Sequence, residues 1–463
     1  MNFVDAVSAL RGDGGLFEAG RPISIARAPG RLDLMGGNAD YTGGWVFEST
    51  IREATWAAVQ LRHDDSVVLL NSQMRELGWD DRVSFRLAQM GSEDAVRRLV
   101  SRTPAIRWTA YVIGVFYLLR SRYPGRVKGG ASVYIASDVP LNKGVSSSAA
   151  VEVAVMKAAA AAYGIPIEGV DLAESCQWVE NTIAKSPCGI MDQAAIVLGE
   201  EEYVLPLCCQ PCCPAPLVRL PDGLECWAID SGVKHEIAGI QCETARAAAF
   251  MGYKMICDWE GLAVEPDSAS RIPRWKDKRW NGYLSNLPAS LFRSLYESRL
   301  PEELSGRDYL RDGQVHVDPF TPVREEARYP LRAAVRYAVE ENLRIRLFIE
   351  LARCAGDSPH PGSAYELMGD LMFQSHYAYT ECGLGCGATD HLVNLVRQEC
   401  RNGLYGAKIT GGGAGGTVAV LGRSGSREAF DRVVERYAAH SGSTPYVFEG
   451  SSAGADRHGI QTI

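Results

Sequence analysis

The sequence predicts an α+β protein with more than one domain. Its 463 residues suffice for two or three domains and for more than one hydrophobic core. Strand-like apolar segments lie in the first third of the chain, at residues 56–61, 66–70 and 131–135. Longer segments with helical character follow, at residues 148–163, 171–184, 330–355, 362–378 and 386–402. Both kinds of element therefore contribute, which predicts the mixed class.

The first predicted element is an extended segment at residues 23–35, and Pro29-Gly30 is a strong break within it. The stretch at residues 29–41 combines Arg31, Asp33 and Asp40 with several glycines. A carboxylate in such a loop can accept from two sugar hydroxyls, and an arginine can stabilise an oxyanion. The alternative is a surface loop with a local Arg–Asp pair, which is the commoner case.

A serine-rich turn follows the strand at 131–135 and reads PLNKGVSSSA over residues 140–149. The alanine-rich segment after it predicts a helix that begins within residues 146–148. A helix N-terminus offers free N–H groups and the positive end of its dipole, and Gly144 allows close backbone approach. The turn therefore suits a phosphate, although an ordinary serine-capped helix explains it equally well. It lacks the Gly-Lys-Ser/Thr triplet of a Walker A loop.

Two later stretches also suit a ligand. Asp192 follows a Pro-Cys-Gly break and has apolar neighbours, so it is either a partly buried general base or a helix cap. Residues 405–421 predict a strand pair with a glycine turn. The run at 411–416 has five glycines in six residues, which fits either a ligand-binding turn or a long hairpin loop. Residues 258–330, rich in Trp, Arg, Pro and Asp, predict an irregular insertion.

Composition excludes several other classes. The formal net charge is -8 and no basic stripe with interleaved aromatics occurs, so we expect neither nucleic acid nor an anionic membrane as partner. The start of the chain predicts no signal peptide, and the most apolar run, at 149–165, is interrupted by Glu152 and Lys157. Thirteen scattered cysteines are typical of free thiols in the cytoplasm.

Taken together and in this order, these stretches resemble the GHMP kinase superfamily. RAPGRLDLMGGNADY at residues 27–41 is similar to the galactokinase form APGRVNLIGEHTDY, and CGIMDQ at 188–193 matches the sugar-kinase segment. KGVSSSAAVEVA at 143–154 is similar to the arabinokinase branch in particular. The resemblance implies an N-terminal domain at 1–205 with a mixed sheet and helices. It also implies a C-terminal α/β domain at 206–463 that carries the insertion, with the active site in the cleft between the two.

The resemblance also assigns roles to residues of this chain. Asp192 would lie beside the anomeric hydroxyl of a sugar with Arg31 next to it, and Asp192 would accept the proton or both would orient the hydroxyl. Ser148 and Glu180 would hold Mg²⁺. The residues that would bind ATP are Lys143, Gly144, Val145, Ser146, Ser147, Ser148, Ala149, Gly412 and Gly413. Those that would bind the sugar are Asp40, Gly37, Asn38, Gly189 and Cys242.

One departure from the galactokinase form has a physical meaning. That form has Glu-His where this chain has Gly37-Asn38. In the family the glutamate is associated with the C6 hydroxyl, which L-arabinopyranose lacks, and a buried carboxylate without that partner would be costly. The resemblance thus implies ATP-dependent phosphorylation of the C1 hydroxyl of L-arabinose by a monomer or weak oligomer. The alternatives are a galactokinase, a galacturonate kinase, or a non-catalytic sensor of sugar and ATP.

Two further departures concern single contacts. The family usually has glycine where Asn142 stands, although asparagine tolerates the left-handed backbone better than most residues. Sugar kinases often have tyrosine near the sugar where Cys242 aligns.

Overall fold

The computed structural model of the protein describes residues 2–12, 14–233, 238–270, 272–311, 315–356 and 361–463. The helices are α1 (Phe3–Ala9), α2 (Gln73–Glu76), α3 (Glu93–Val100), α4 (Ala110–Arg122), α5 (Ser147–Ala162), α6 (Gly169–Val179), α7 (Met191–Leu198), α8 (Ala238–Trp259), α9 (Ala289–Leu291), α10 (Gly306–Arg311), α11 (Leu331–Ala355), α12 (Pro361–Glu381), α13 (Gly387–Gln398), α14 (Arg427–Ser441) and α15 (Ala455–His458). The strands are β1 (Ser24–Met35), β2 (Trp45–Leu61), β3 (Ser66–Leu70), β4 (Arg82–Arg86), β5 (Ala131–Ser137), β6 (Tyr203–Cys208), β7 (Cys213–Pro214), β8 (Val218–Arg219), β9 (Leu224–Asp230), β10 (Glu265–Pro266), β11 (Trp275–Lys276), β12 (Leu304–Ser305), β13 (Arg328–Tyr329), β14 (Leu404–Ile409), β15 (Thr417–Arg423), β16 (Val447–Glu449) and β17 (Ile460–Thr462).

The larger sheet has the order β17-β1-β2-β5-β3-β4, and β6 extends it beside the first half of the long strand β2. Strands β3 and β5 are parallel whereas the other pairs are antiparallel, so the sheet is mixed. Helix α5 packs on β1 and β2, and α4 and α6 pack on α5. Most of the buried residues of α5 are alanine or valine. A helix that is apolar on most of its surface is stable only in the interior, which is where α5 lies.

Strand β1 differs from the sequence prediction at Pro29-Gly30. The prediction places a break there, but the strand continues to Met35. Its pairing with β2 shifts register between Pro29 and Arg31, so a β-bulge absorbs the proline and the glycine. The continuation carries Arg31 into the interior, where it is 2% exposed.

The smaller sheet has the order β14-β15-β9-β16 and is antiparallel throughout. The predicted strand pair around residues 411–416 is its β14–β15 hairpin, so that prediction is confirmed. Helices α12 and α13 cover the hairpin, and α14 packs against α13.

The segment at 258–330 is irregular, as the sequence predicts, and consists of short helices and two-residue strands. It is nevertheless firmly attached, because one buried cluster joins it to α8 and α11. Members of this cluster include Tyr253, Trp280, Tyr296, Tyr329 and Val335.

The division at residues 205 and 206 stays a prediction. Strand β6 spans that position, and β17, near the end of the chain, pairs with β1. The largest buried cluster also includes side chains of both sheets, such as Val59 of β2 and Leu421 of β15. Among the described residues, none of the helices has both the length and the apolar character that crossing a membrane requires.

Candidate active site

Arg31 and Asp192 form the centre of the site. Arg31 lies in β1, and Asp192 lies in the first turn of α7. The Nε and Nη2 atoms of Arg31 lie 2.9 and 2.8 Å from Oδ1 of Asp192, and Nη1 donates to the carbonyl oxygen of Gly144 at 2.6 Å. Burial tends to lower the pKa of Arg31, but the charges of Asp192 and Glu48 outweigh it and raise the pKa. The guanidinium is therefore a fixed positive charge beside the carboxylate of Asp192.

The serine turn has the backbone that a phosphate-binding turn needs. Asn142, Gly144 and Ser146 have φ values of 59°, 74° and 60°, so every second residue is left-handed. Asparagine tolerates this conformation, which explains how Asn142 stands where the family usually has glycine. The Ser146 hydroxyl donates to Oδ2 of Asp192. This bond joins the turn to the Arg31–Asp192 pair.

Ser148 and Glu180 meet as the resemblance implies. Ser148 is the second residue of α5, and its Oγ donates to Oε1 of Glu180 at 2.9 Å. Burial above all raises the pKa of Glu180 to about 7. A hydroxyl and a carboxylate are hard oxygen donors of the kind that Mg²⁺ prefers, so the pair fits that ion. The described residues hold no cluster of three or more His, Cys, Asp or Glu suited to a metal. A divalent ion here would therefore also need oxygen atoms from a substrate or from water.

A cavity of about 900 Å³ contains these groups. Trp79, Trp108 and Tyr111 line a further part of its wall, where aromatic faces are suited to stack on a base. The sequence-predicted residues that line it are Arg31, Gly144, Ser146, Ser147, Ser148, Glu180, Asp192 and Gly412.

Asp40 and Gly189 line a second, smaller cavity of about 90 Å³. Cys188 lines both cavities, so they adjoin. Burial is the main reason that the pKa of Asp40 rises to about 7, and the charge of Asp192 raises it further. A Cβ atom at Gly189 would lie 1.9 Å from Oδ2 of Asp40, so only glycine leaves room for that carboxylate.

Gly37 and Asn38 lie beside the site and do not line either cavity. A Cβ atom at Gly37, where φ is +47°, would lie 1.7 Å from the hydroxyl oxygen of Tyr379. That hydroxyl accepts from the Asn38 N–H and donates to the Gly411 carbonyl, both at 2.8 Å. Tyr379 thus fills the space that any side chain at position 37 would need.

Cys242 also lies outside both cavities. Its Sγ donates to the carbonyl oxygen of Gly412 at 2.8 Å, so it contacts the glycine turn. Lys143 forms an ion pair with Asp230 at 2.5 Å, and Ala149 is completely buried. Other sequence-predicted residues that line neither cavity are Val145 and Gly413.

Sequence reasoning missed three groups around the site. Glu48 lies 3.6 Å from Arg31 and is fully buried, and its only signal in the sequence is a charge that follows the apolar residues 45–47. Arg246, with its partner Asp318, lines the small cavity, but sequence reasoning gave neither residue a role and the two are 72 positions apart. Tyr379 fills the space beside Gly37, although the two residues lie far apart in the sequence.

Comparison with known proteins identifies the family of this chain. The family model for the N-terminal domain of GHMP kinases matches residues 110–200, and the galactose-binding signature of galactokinases matches residues 16–61. A galactokinase from Chloroflexus aggregans is 31% identical over 91% of this chain and 90% of its own length. The chain therefore belongs to the GHMP kinase superfamily.

Within that superfamily it is a sugar kinase of the galactokinase and arabinokinase type. An L-arabinokinase from Arabidopsis thaliana is 35% identical over 97% of this chain. The chain spans about half the length of that relative, 48%. Solved structures share the fold at low identity. Lactococcus lactis galactokinase complexed with galactose has a TM-score of 0.67 and 21% identity over 95% of both chains. A Methanococcus jannaschii mevalonate kinase has a TM-score of 0.55 and 12% identity over 92% of this chain and 98% of its own.

Proposed function

We propose that this chain transfers the γ-phosphate of ATP to the C1 hydroxyl of L-arabinose and releases L-arabinose 1-phosphate and ADP. The main support for this proposal is that Arg31, Asp192 and the serine turn line one large cavity, which adjoins the small cavity lined by Asp40. A sugar across the junction would present its anomeric hydroxyl to Asp192 and its ring hydroxyls to Asp40.

GHMP kinases use ATP, and the start of α5 supplies donors for its phosphates. The backbone N–H groups of residues 144–147 and the dipole of α5 would bind the phosphate oxygens. The glycine turn would close the opposite side, where Gly412 lines the cavity. Mg²⁺, held by Ser148 and Glu180, would supply charge that neutralises the phosphate oxygens.

Asp192 would act on the hydroxyl that attacks phosphorus. Its two oxygens already accept from Arg31 and from Ser146, which fixes the orientation of the carboxylate. Phosphoryl transfer depends mainly on positioning and charge neutralisation, so a weak base is sufficient. Asp192 either accepts the proton as the new bond to phosphorus forms, or orients the hydroxyl together with Arg31.

The choice of a pentose rests on position 37. Because the Tyr379 hydroxyl fills the space beside Gly37, this chain offers no carboxylate there for an exocyclic hydroxymethyl group. The 35% identity to an L-arabinokinase over 97% of this chain supports the same choice. The thirteen free cysteines favour a reducing compartment such as the cytoplasm.

Galactokinase is the second proposal, because the galactose-binding signature matches residues 16–61. A galacturonate kinase is a variant of it with an acid in place of the C6 alcohol. A non-catalytic sensor has less support, since such a protein would have lost a catalytic or metal-binding group and this chain keeps Arg31, Ser148, Glu180 and Asp192.

The test is an ADP-release assay with Mg-ATP across L-arabinose, D-galactose, D-fucose, D-galacturonate and D-glucuronate. We expect kcat/KM for L-arabinose to exceed that for D-galactose about tenfold or more, since one extra group in a fitted pocket costs roughly 1–3 kcal/mol. Equal or greater activity on D-galactose would overturn the choice of a pentose. Activity on none of the five sugars would favour the sensor.

A further inference from the structure

Arg246 of α8 lines the small cavity beside Asp40 and is held by the insertion. Its Nε and Nη2 atoms donate to the two carboxylate oxygens of Asp318 at 2.8 and 2.9 Å. Asp318 also accepts from the backbone N–H of Thr321 at 3.2 Å. This bidentate ion pair fixes the plane of the guanidinium. The insertion therefore aims an arginine at the cavity.

The third nitrogen of Arg246 remains available. Nη1 is buried and has no hydrogen-bond partner among the described residues, although the side chain is only 6% exposed. A buried donor without an acceptor is unfavourable, because it has lost its hydrogen bond to water. Such a donor in the lining of a cavity is accounted for if a ligand oxygen completes it.

Aromatic rings surround the guanidinium of Arg246 and hold it in place. The guanidinium carbon lies 5.1, 5.8 and 5.6 Å from the ring centres of Tyr41, Phe250 and Phe320. These three rings and the Asp318 pair restrict the side chain to one orientation. Tyr41 directly follows Asp40, so the segment at residues 27–41, helix α8 and the insertion meet at this point.

We propose that Nη1 of Arg246, oriented by Asp318, donates a hydrogen bond to a ring hydroxyl of the sugar in the cavity that Arg246 shares with Asp40. This assignment rests on the proposed function and adds a specificity-determining residue to it. It also gives the insertion a task, because Asp318 and Phe320 lie within it. Asp318 is a positioning residue, since it acts through Arg246.

The chemistry favours a neutral hydroxyl over a carboxylate as the acceptor. The charge of Arg246 is already balanced by Asp318, and Asp40 adds a second acid to the same cavity. A sugar acid would bring a third carboxylate to one arginine. A hydroxyl needs only one donor and one acceptor, which Nη1 and Asp40 supply.

The test is calorimetric titration of L-arabinose into the protein without ATP, for the wild type and for Arg246→Lys. Lysine keeps the positive charge opposite Asp318 but lacks the third nitrogen of the fork. We expect the sugar Kd to rise about 10–100-fold and the ATP Kd to change less than about twofold. The matched control is Arg344→Lys, because Arg344 is a buried arginine paired with Glu341 that lines neither cavity.

A cycle with deoxy sugars identifies the hydroxyl. The 2-, 3- and 4-deoxy analogues of L-arabinose are titrated into both proteins. We expect one analogue to bind the wild type about 10–100-fold more weakly than L-arabinose and to bind Arg246→Lys almost as L-arabinose does. If Arg246→Lys fails to fold, Asp318→Asn replaces it, and we expect a rise in the sugar Kd of about 3–10-fold.

Four outcomes would contradict either the assignment of Arg246 or the proposed kinase activity. An unchanged sugar Kd in Arg246→Lys, or equal losses for every deoxy analogue in both proteins, overturns the assignment. The same changes in Arg344→Lys would show a general effect of buried arginines and overturn it too. A wild type that binds L-arabinose through Arg246 yet releases no ADP overturns the proposed kinase activity and leaves the assignment standing.

Discussion

At the scale of single residues, Asp192 is the group on which the proposed chemistry depends. Asp192→Asn keeps the size of the side chain but removes the charge that faces Arg31. We expect kcat to fall at least ~10²-fold while the sugar Kd stays within a few-fold of the wild type. Steady-state kinetics and calorimetry measure the two quantities separately. Near-normal turnover would remove Asp192 from the mechanism.

The pKa of Asp40, raised to about 7, predicts a pH dependence. Unfolded aspartate ionises near about pH 4, so between about pH 4 and 7 the folded protein holds the extra proton and its free energy of unfolding falls as pH rises. The ionised carboxylate accepts from sugar hydroxyls, so we expect the sugar Kd to fall about tenfold from about pH 6 to about pH 8. Calorimetry without ATP measures it. Asp40→Asn should flatten the profile, and a variant that keeps the slope would exclude Asp40 as its source.

The Tyr379 side chain leaves no room for a side chain at position 37. Gly37→Ala places a Cβ 1.7 Å from the tyrosine oxygen at a φ of +47°. We expect it to lower the free energy of unfolding by about 2–5 kcal/mol, from the left-handed backbone and from overpacking together. Gly383→Ala is the control, because its φ is +78° and no described heavy atom lies within 4 Å of its Cβ. A urea denaturation curve that gives equal losses for both would show that Tyr379 leaves room for a side chain.

At the scale of elements, α15 connects α5, which packs on the larger sheet, with α6. Asp456 pairs with Lys157 of α5, which is buried, and accepts from the N–H of Gly169 at the start of α6 at 2.6 Å. Asp456→Ala leaves a buried ammonium and an uncapped helix. We therefore expect a loss of about 2–4 kcal/mol in the free energy of unfolding, with both KM values unchanged.

The matched control for Asp456→Ala is Asp431→Ala. Asp431 pairs with Arg427 on the surface of α14, and both side chains are about half exposed. We expect it to cost at most about 0.5 kcal/mol. Comparable losses in the two variants, measured in urea, would show that α15 adds no more than a surface ion pair does.

Local patterns predicted the elements that have a strong local cause. The start of α5 within residues 146–148, strands β3 and β5, and the glycine hairpin all agree with the structure. The bulge at Pro29-Gly30 was not predictable, because the pairing with β2 overrides the local tendency to break the strand. The Arg246–Asp318 pair was not predictable either, because neither residue has a neighbour in sequence that marks it.

At the scale of the whole molecule, the two sheets share one hydrophobic core. The largest buried cluster includes Val59 of the larger sheet together with Ile409, Leu421 and Phe448 of the smaller one. Since neither sheet can lose its side of this cluster independently, we expect one cooperative unfolding transition. Far-ultraviolet circular dichroism and tryptophan fluorescence should give coincident urea curves. Two separated transitions would show that the domains proposed at 1–205 and 206–463 unfold independently.

The contact of Gly37 with Tyr379 has a consequence for how such enzymes exchange substrates during evolution. A glutamate cannot enter at position 37 while the tyrosine remains, because their atoms would overlap. Loss of the tyrosine first would leave the Asn38 N–H and the Gly411 carbonyl without their partner. Because each substitution alone would lower the stability of the protein, we expect the residues at positions 37 and 379 to be inherited as a pair. Assignment of hexose or pentose from sequence would then depend on both positions together.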